Sequence, residues 1–236
     1  MSAPAIQREA ESLARLEARL ARLPAEQRLA AAIRDLFPGR IALVSSFGAE
    51  SAVLLHMASR IDPALPILFL DTRKLFGETL RYRDTLVARL GLTGVITQRP
   101  DADALAAEDA DGLLFQRDPD RCCAIRKGDP LAAGLAGFDA WITGRKRFQG
   151  ATRAALPVVE SVDGRTKVNP LADWEKADLD AYFAAHDLPR HPLEADGFLS
   201  IGCLTCTDRV APGEDARAGR WRGQDKTECG IHGPGA

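Results

Sequence analysis

The chain has 236 residues, 46% of them hydrophobic and 27% charged, with a net charge near −2. That balance belongs to a globular chain long enough for a full core, and it excludes bulk attraction to nucleic acid or to a membrane surface. No run approaches the roughly 18 apolar residues of a membrane span, and the first residues lack the apolar core of a signal peptide, so a cytoplasmic location is expected.

Ile6, Ala10, Leu13, Leu16, Leu20 and Leu23 recur at helical spacing. A second helix is predicted from Pro24 to about Leu36, stopped by Phe37-Pro-Gly39. Residues 1–38 are read as packing helices, 39–210 as the main α/β domain, and 211–236 as an arginine loop and cysteine tail. Ile41–Val44 has the composition of a buried parallel strand. A small-residue loop, Ser45–Ser51, and a helical pattern from Ala52 to Ala58 follow. In an open α/β sheet ligands collect at the carboxyl ends of strands, and a helix start offers N–H groups to an anion. An ordinary serine-capped turn is the other reading. His56, inside the apolar helix, is expected to pack.

Pro66–Leu70 is the second predicted strand and ends in Asp71-Thr72. Glu78–Leu90 reads as a helix closed by Gly91, Val95–Thr97 as a third strand, and Asp101–Ala110 as a helix with an acidic face. A helix is predicted from Arg121, which places Lys127 one turn beyond Cys123 on the same face. Asp139–Thr143 is a fourth strand, and Arg145, Lys146, Arg147 and Arg153 follow its tip. Such a run suits an anion with several oxygens, or is a solvated loop. Val158–Glu160 and Thr166–Asn169 are expected to pair across Asp163-Gly164, and Glu175–His186 is helical. From Ala211 onward the chain is polar and glycine-rich, the composition of a mobile tail. Arg217 and Arg220, three apart, would point the same way on one turn.

The chain has 5 cysteines. Cys122-Cys123 and Cys203-Leu-Thr-Cys206 make two close pairs, and Cys229 stands apart near the end. Without a secretory context the pairs are not read as disulfides. A structural zinc site, an iron–sulfur cluster and unligated thiols stay open. The vicinal pair strains a single tetrahedral ion, because neighbouring Cα atoms lie only about 3.8 Å apart; separate iron corners relieve that strain. A buried position is usual for a structural cysteine, so Cys229 on a polar tail is expected to be exposed and reactive.

Ser46-Phe-Gly-Ala-Glu50, Leu70-Asp-Thr72, Cys122-Cys-Ala-Ile-Arg-Lys127, Trp141-Ile-Thr-Gly-Arg145, Lys167-Val-Asn-Pro-Leu-Ala-Asp-Trp174, Ile201-Gly-Cys-Leu-Thr-Cys206, Ala211-Pro-Gly-Glu-Asp215 and Glu228-Cys-Gly-Ile-His232 together resemble the assimilatory adenylyl-sulfate reductases of the phosphoadenylyl-sulfate (PAPS) reductase superfamily. The resemblance implies an adenine nucleotide α-hydrolase-like α/β fold: a mainly parallel sheet with helices on both faces, and a mobile C-terminal tail. It implies thioredoxin-dependent reduction of adenosine 5'-phosphosulfate to sulfite and AMP, and one [4Fe–4S] cluster on Cys122, Cys123, Cys203 and Cys206. Cys229 would be the nucleophile that becomes an S-sulfocysteine, assisted by Lys127 and His232. Ser46, Gly48, Leu70 and Gly144 would contact the nucleotide, and Arg153, Arg217 and Arg220 its anionic end. A 3'-phosphorylated substrate is the alternative. Ser51, the segment 73–76 and the short linker around Trp221 depart from the pattern.

A thiolate that attacks such a substrate approaches a dianion. At 4 Å and an effective dielectric constant of about 20, each charge pair costs roughly 4 kcal/mol. Lys127, Arg153, Arg217 and Arg220 are the groups expected to offset that repulsion.

Overall fold

The computed structural model describes residues 3–224 and 226–231. Helix α1 covers Ala3–Leu20 and α2 covers Ala25–Ala30. A wide π turn, Ala31–Leu36, extends α2, so the helix predicted to Leu36 changes pitch in its second half. Strands β1 (Ile41–Ser45), β2 (Ile67–Leu70), β3 (Val95–Gln98) and β4 (Ala140–Ile142) alternate with α3 (Ser51–Ile61), α4 (Gly77–Leu90), α5 (Ala102–Glu108), α6 (Leu114–Arg117), α7 (Pro119–Cys123) and α8 (Asp129–Gly134). The hairpin β5 (Val159–Val162) and β6 (Arg165–Val168) and helix α9 (Lys176–Ala185) follow.

The sheet order is β3-β2-β1-β4-β6-β5. Every pairing is parallel except β5 against β6. The hairpin turns where it is expected to: Asp163 has φ 52° and Gly164 φ 73°, the left-handed pair of a two-residue loop. Along β1, β2 and β4 successive side chains enter opposite layers. Ile41, Leu43, Ile67, Phe69, Ala140 and Ile142 join the core shared with α2, α3, α4 and α9. Ala42, Leu68, Leu70 and Trp141 pack with Leu131 of α8 and Leu135 just after it. Two covered faces explain why these strands read as continuous apolar runs rather than alternating ones.

The N-terminal helices belong to the first layer, where Leu20 and Leu29 are fully buried. Arg28 locks them to the loop after β6. Its guanidinium donates to the carbonyls of Leu20 (3.0 Å), Ala21 (3.1 Å) and Pro170 (3.0 Å) and pairs with Asp173 at 2.5 Å. His56 packs as expected, with its Nδ1 3.0 Å from the Tyr182 hydroxyl. The chain winds outward in one direction through β1, β2 and β3 and in the other through β1, β4 and β6. The carboxyl ends of β1 and β4 therefore flank the switch point where such sheets bind ligands.

Candidate functional site

A cavity of about 220 Å³ opens at that switch point. Ser45 ends β1 and accepts the Phe47 amide on its Oγ at 3.1 Å. Phe47 is driven to φ 50° and is fully buried, edge-on to Phe69 with centroids 5.4 Å apart. Gly48 fits because a Cβ there would lie 3.2 Å from the Ile201 carbonyl, on the strip that covers the cavity. Ser46, Gly48, Leu70 and Gly144 line the cavity without adding charge. Glu50, just before α3, does not face an empty helix start; it accepts from Lys146 at 2.6 Å and Gln149 at 2.7 Å.

Cations line the same cavity. Lys127, Arg145, Arg153, Arg217 and Arg220 line it, with Cys229 and Trp221. The tip of β4 thus divides its cations in a way the sequence does not display. Arg145 pairs with Glu160, Lys146 with Glu50, and Arg147 donates to the Leu156 carbonyl at 2.8 Å. Arg153 grips Glu228 with two bonds, of 2.6 and 2.8 Å. Burial brings Arg145 down to about 10, and Arg153 close by adds to the effect. Arg217 is also held at about 10, again by burial first and then by Arg153. These guanidiniums crowd one another; Glu228 pairs with Arg153 and Arg217, and Glu160 with Arg145.

Cys229 departs from expectation. It is 8% exposed, and the described part of the tail folds inward over the cavity. A polar tail reaches that position because two ion pairs tie it just before the cysteine: Lys226 pairs with Asp120 of α7, and Glu228 with Arg153. The Cys229 thiol lies well below the usual range. The hydrogen bond from Cys123 is the largest cause, and Lys127, the Ile231 amide and Arg220 add to it against the opposing effect of burial. Lys127 is held charged above its usual range: burial works against it, and Cys203, Cys229 and Cys123 outweigh the burial. His232 lies outside the described residues.

Cys122, Cys123, Cys203 and Cys206 line a second, smaller cavity with Lys74, Arg126, Lys127 and Trp221. Burial raises the Cys122 thiol, and Thr72 Oγ1 lies 3.2 Å from Cys203 Sγ. An antiparallel bridge between Leu75 and Cys203 holds the second pair beside the tip of β2. Among the described residues no three His, Cys, Asp or Glu side chains gather as a site for one metal ion. The donor chemistry is that of a tetrathiolate group: soft sulfurs around one cavity, with lysine and arginine beside them to offset thiolate charge. Lys127 and Trp221 line both cavities and so join the two sites.

Sequence reasoning missed Glu228 as a partner of the arginines and missed Thr72 and Trp221 as cavity residues. The two-residue separation of Thr72 from Leu70 was the one usable signal for any of them.

The phosphoadenosine phosphosulfate reductase domain matches residues 40–209. An adenosine 5'-phosphosulfate reductase of Mesorhizobium japonicum is 59% identical over 84% of this chain and 78% of its own. One of Chelativorans is 52% identical over 93% of this chain and 90% of its own. The crystal structure of phosphoadenylyl-sulfate reductase from Candida auris, a phosphate complex, superposes with a TM-score of 0.72 at 26% identity, covering 84% of this chain and 97% of that one. With the cavity at the β1/β4 switch point and the motifs that line it, these likenesses identify the chain as a member of the phosphoadenosine phosphosulfate reductase family.

Proposed function

We propose that this protein reduces adenosine 5'-phosphosulfate to sulfite and AMP, with thioredoxin or a similar dithiol protein as the external reductant, in the cytoplasm. The observation that carries the reading is the placement of the buried Cys229 on the same cavity as Lys127, Arg153, Arg217 and Arg220. The uncharged lining residues Ser46, Gly48, Leu70 and Gly144 suit adenosine and ribose; the cationic ones suit the phosphosulfate.

The Cys229 thiolate attacks the sulfo sulfur, an S–S bond forms, and the S–O bond to phosphate breaks. AMP departs with the electron pair. The arginines and Lys127 offset the charge that builds on the leaving phosphate and the repulsion between thiolate and substrate. A thiolate of the external dithiol then attacks Cys229 Sγ and expels sulfite. The second thiol resolves the mixed disulfide, so the two electrons come from the dithiol. Cys229 is the lone cysteine outside the two pairs, so the resolving thiol comes from outside.

Cys122, Cys123, Cys203 and Cys206 would hold one [4Fe–4S] cluster, which supplies fixed charge and shape beside Lys127 rather than electrons. In support, all four line one cavity and the vicinal pair suits separate iron corners. His232 completes the tail motif as a catalytic candidate. A 3'-phosphorylated substrate is the second reading, favoured by the likeness to the Candida auris enzyme, named for that nucleotide. The test compares kcat/KM for the two nucleotides with a dithiol protein as donor. Higher efficiency on the unphosphorylated one supports the first reading, and the reverse order overturns it.

A further inference from the structure

Glu228, immediately before Cys229, is 17% exposed at its side chain, and its carboxylate pairs with Arg153 and Arg217. Oε1 accepts from Arg153 Nε at 2.6 Å and from Thr152 Oγ1 at 3.4 Å. Oε2 accepts from Arg153 Nη2 at 2.8 Å and from Arg217 Nη2 at 3.4 Å. Both guanidiniums line the main cavity. Arg145 lines it too, and its buried Nε has no hydrogen-bond partner among the described residues. The cluster therefore has donor capacity that a two-oxygen carboxylate leaves unused, and a phosphosulfate has more oxygens to fill it.

We infer that Glu228 is an internal anion that holds the arginine cluster in the substrate-free protein, and that the anionic end of the incoming substrate displaces it and frees Cys229 to move. This rests on the reading of the cavity as an adenylyl-sulfate site. Crowded buried guanidiniums without a counter-ion are costly, so the carboxylate stabilises the closed tail. Exchange of one anion for another keeps the cost of opening small. Glu228 and Cys229 are neighbours, about 3.8 Å apart at Cα, so displacement of the first moves the second. Glu228 is thus a positioning residue that couples occupancy of the anion site to the position of the nucleophile.

The test is the rate at which iodoacetamide alkylates Cys229 in the as-isolated protein, read by peptide mass. Wild type, Glu228→Gln and Glu228→Asp are compared in chloride and in sulfate at equal ionic strength, and with AMP. Sulfate is expected to accelerate alkylation of the wild type about tenfold, the worth of one charge-assisted hydrogen bond. Glu228→Gln is expected to react fast without sulfate and to ignore it, and to bind AMP more tightly. Glu228→Asp, which keeps the charge, should retain the sulfate response. Glu228→Gln alkylating at the wild-type rate and binding AMP with wild-type affinity would overturn the inference and leave the nucleotide reading intact. Fast alkylation of Glu228→Gln with no AMP binding in any variant would sustain the carboxylate's role and defeat the nucleotide reading.

Discussion

Arg126, one residue before Lys127, pairs with Asp109 at 2.5 Å, with 6% and 0% of the two side chains exposed. The same guanidinium donates to the Thr72 carbonyl at 2.8 Å, and Thr72 Oγ1 lies 3.2 Å from Cys203 Sγ. One arginine therefore links the helix that carries Cys122 and Cys123 to the strand tip that meets Cys203. Burial opposes the charge on Asp109, and the bonds from Arg126 and the Leu114 amide outweigh it, so its carboxyl stays below the usual range.

Asp109→Ala leaves Arg126 buried and uncompensated. The expected loss of stability is on the order of 3–5 kcal/mol. The two cysteine pairs should also lose their fixed relation. Urea denaturation and iron content per chain read the two effects. Wild-type stability with wild-type iron content would show that the link does not hold the pairs together.

Gly202→Ala tests the arginine cluster without touching a charge. A Cβ at Gly202 would lie 2.4 Å from Arg220 Nη2 and 2.6 Å from its Cζ. Arg220 stacks on Trp221 at 4.3 Å and its Nε donates to the Cys206 carbonyl at 3.3 Å, contacts that its flexible side chain must give up to make room. The fold should survive while Arg220 leaves the cavity. A fall in kcat/KM of about 10²-fold is expected, the scale for loss of one preorganised donor. An unchanged kcat/KM in a soluble, folded variant would remove Arg220 from the anion site.

His191 gives the fold a dependence on pH. Its ring is 1% exposed. Nδ1 accepts the Leu193 amide at 3.2 Å, so Nε2 carries the proton and meets Thr79 Oγ1 at 3.1 Å. Burial holds the ring at about 4, with Glu78 pulling weakly the other way. In the unfolded chain the value is about 6.5. Below that, the unfolded state takes up a proton that the folded state refuses until pH falls to about 4. The contribution is complete above about pH 6.5 and declines through the interval by on the order of 3 kcal/mol. Chemical denaturation at about pH 7 and about pH 5 should show a steeper loss in wild type than in His191→Gln. Parallel losses would contradict it.

Much of the frame was readable because it depends on local chemistry. The apolar runs at β1, β2 and β4, Gly91 with φ 63° after α4, and Asp163-Gly164 between β5 and β6 each state their conformation within a few residues. The π turns at Ala31–Leu36 and Ala124–Gly128 gave no such sign, because tertiary packing rather than propensity sets the pitch there. The cationic tip of β4 was visible as a run of charge. How each of its members is held was not, since Arg145 and Lys146 line the cavity with their carboxylate partners on a hairpin and on the α3 cap, while Arg147 turns away to the Leu156 carbonyl. Cys229 was misjudged as exposed for the same reason. Its neighbour Glu228 is 75 residues from Arg153, and composition carries no trace of that pairing.

The central claim is that Cys229 takes the sulfo group while the other cysteines stay fixed. The direct measurement is the intact mass of the C-terminal peptide after incubation with adenosine 5'-phosphosulfate and no reductant, in wild type and in Cys229→Ser. One sulfo group on Cys229 in wild type, with stoichiometric AMP and none in the variant, is the predicted result. Sulfite release by Cys229→Ser at the wild-type rate would contradict the account.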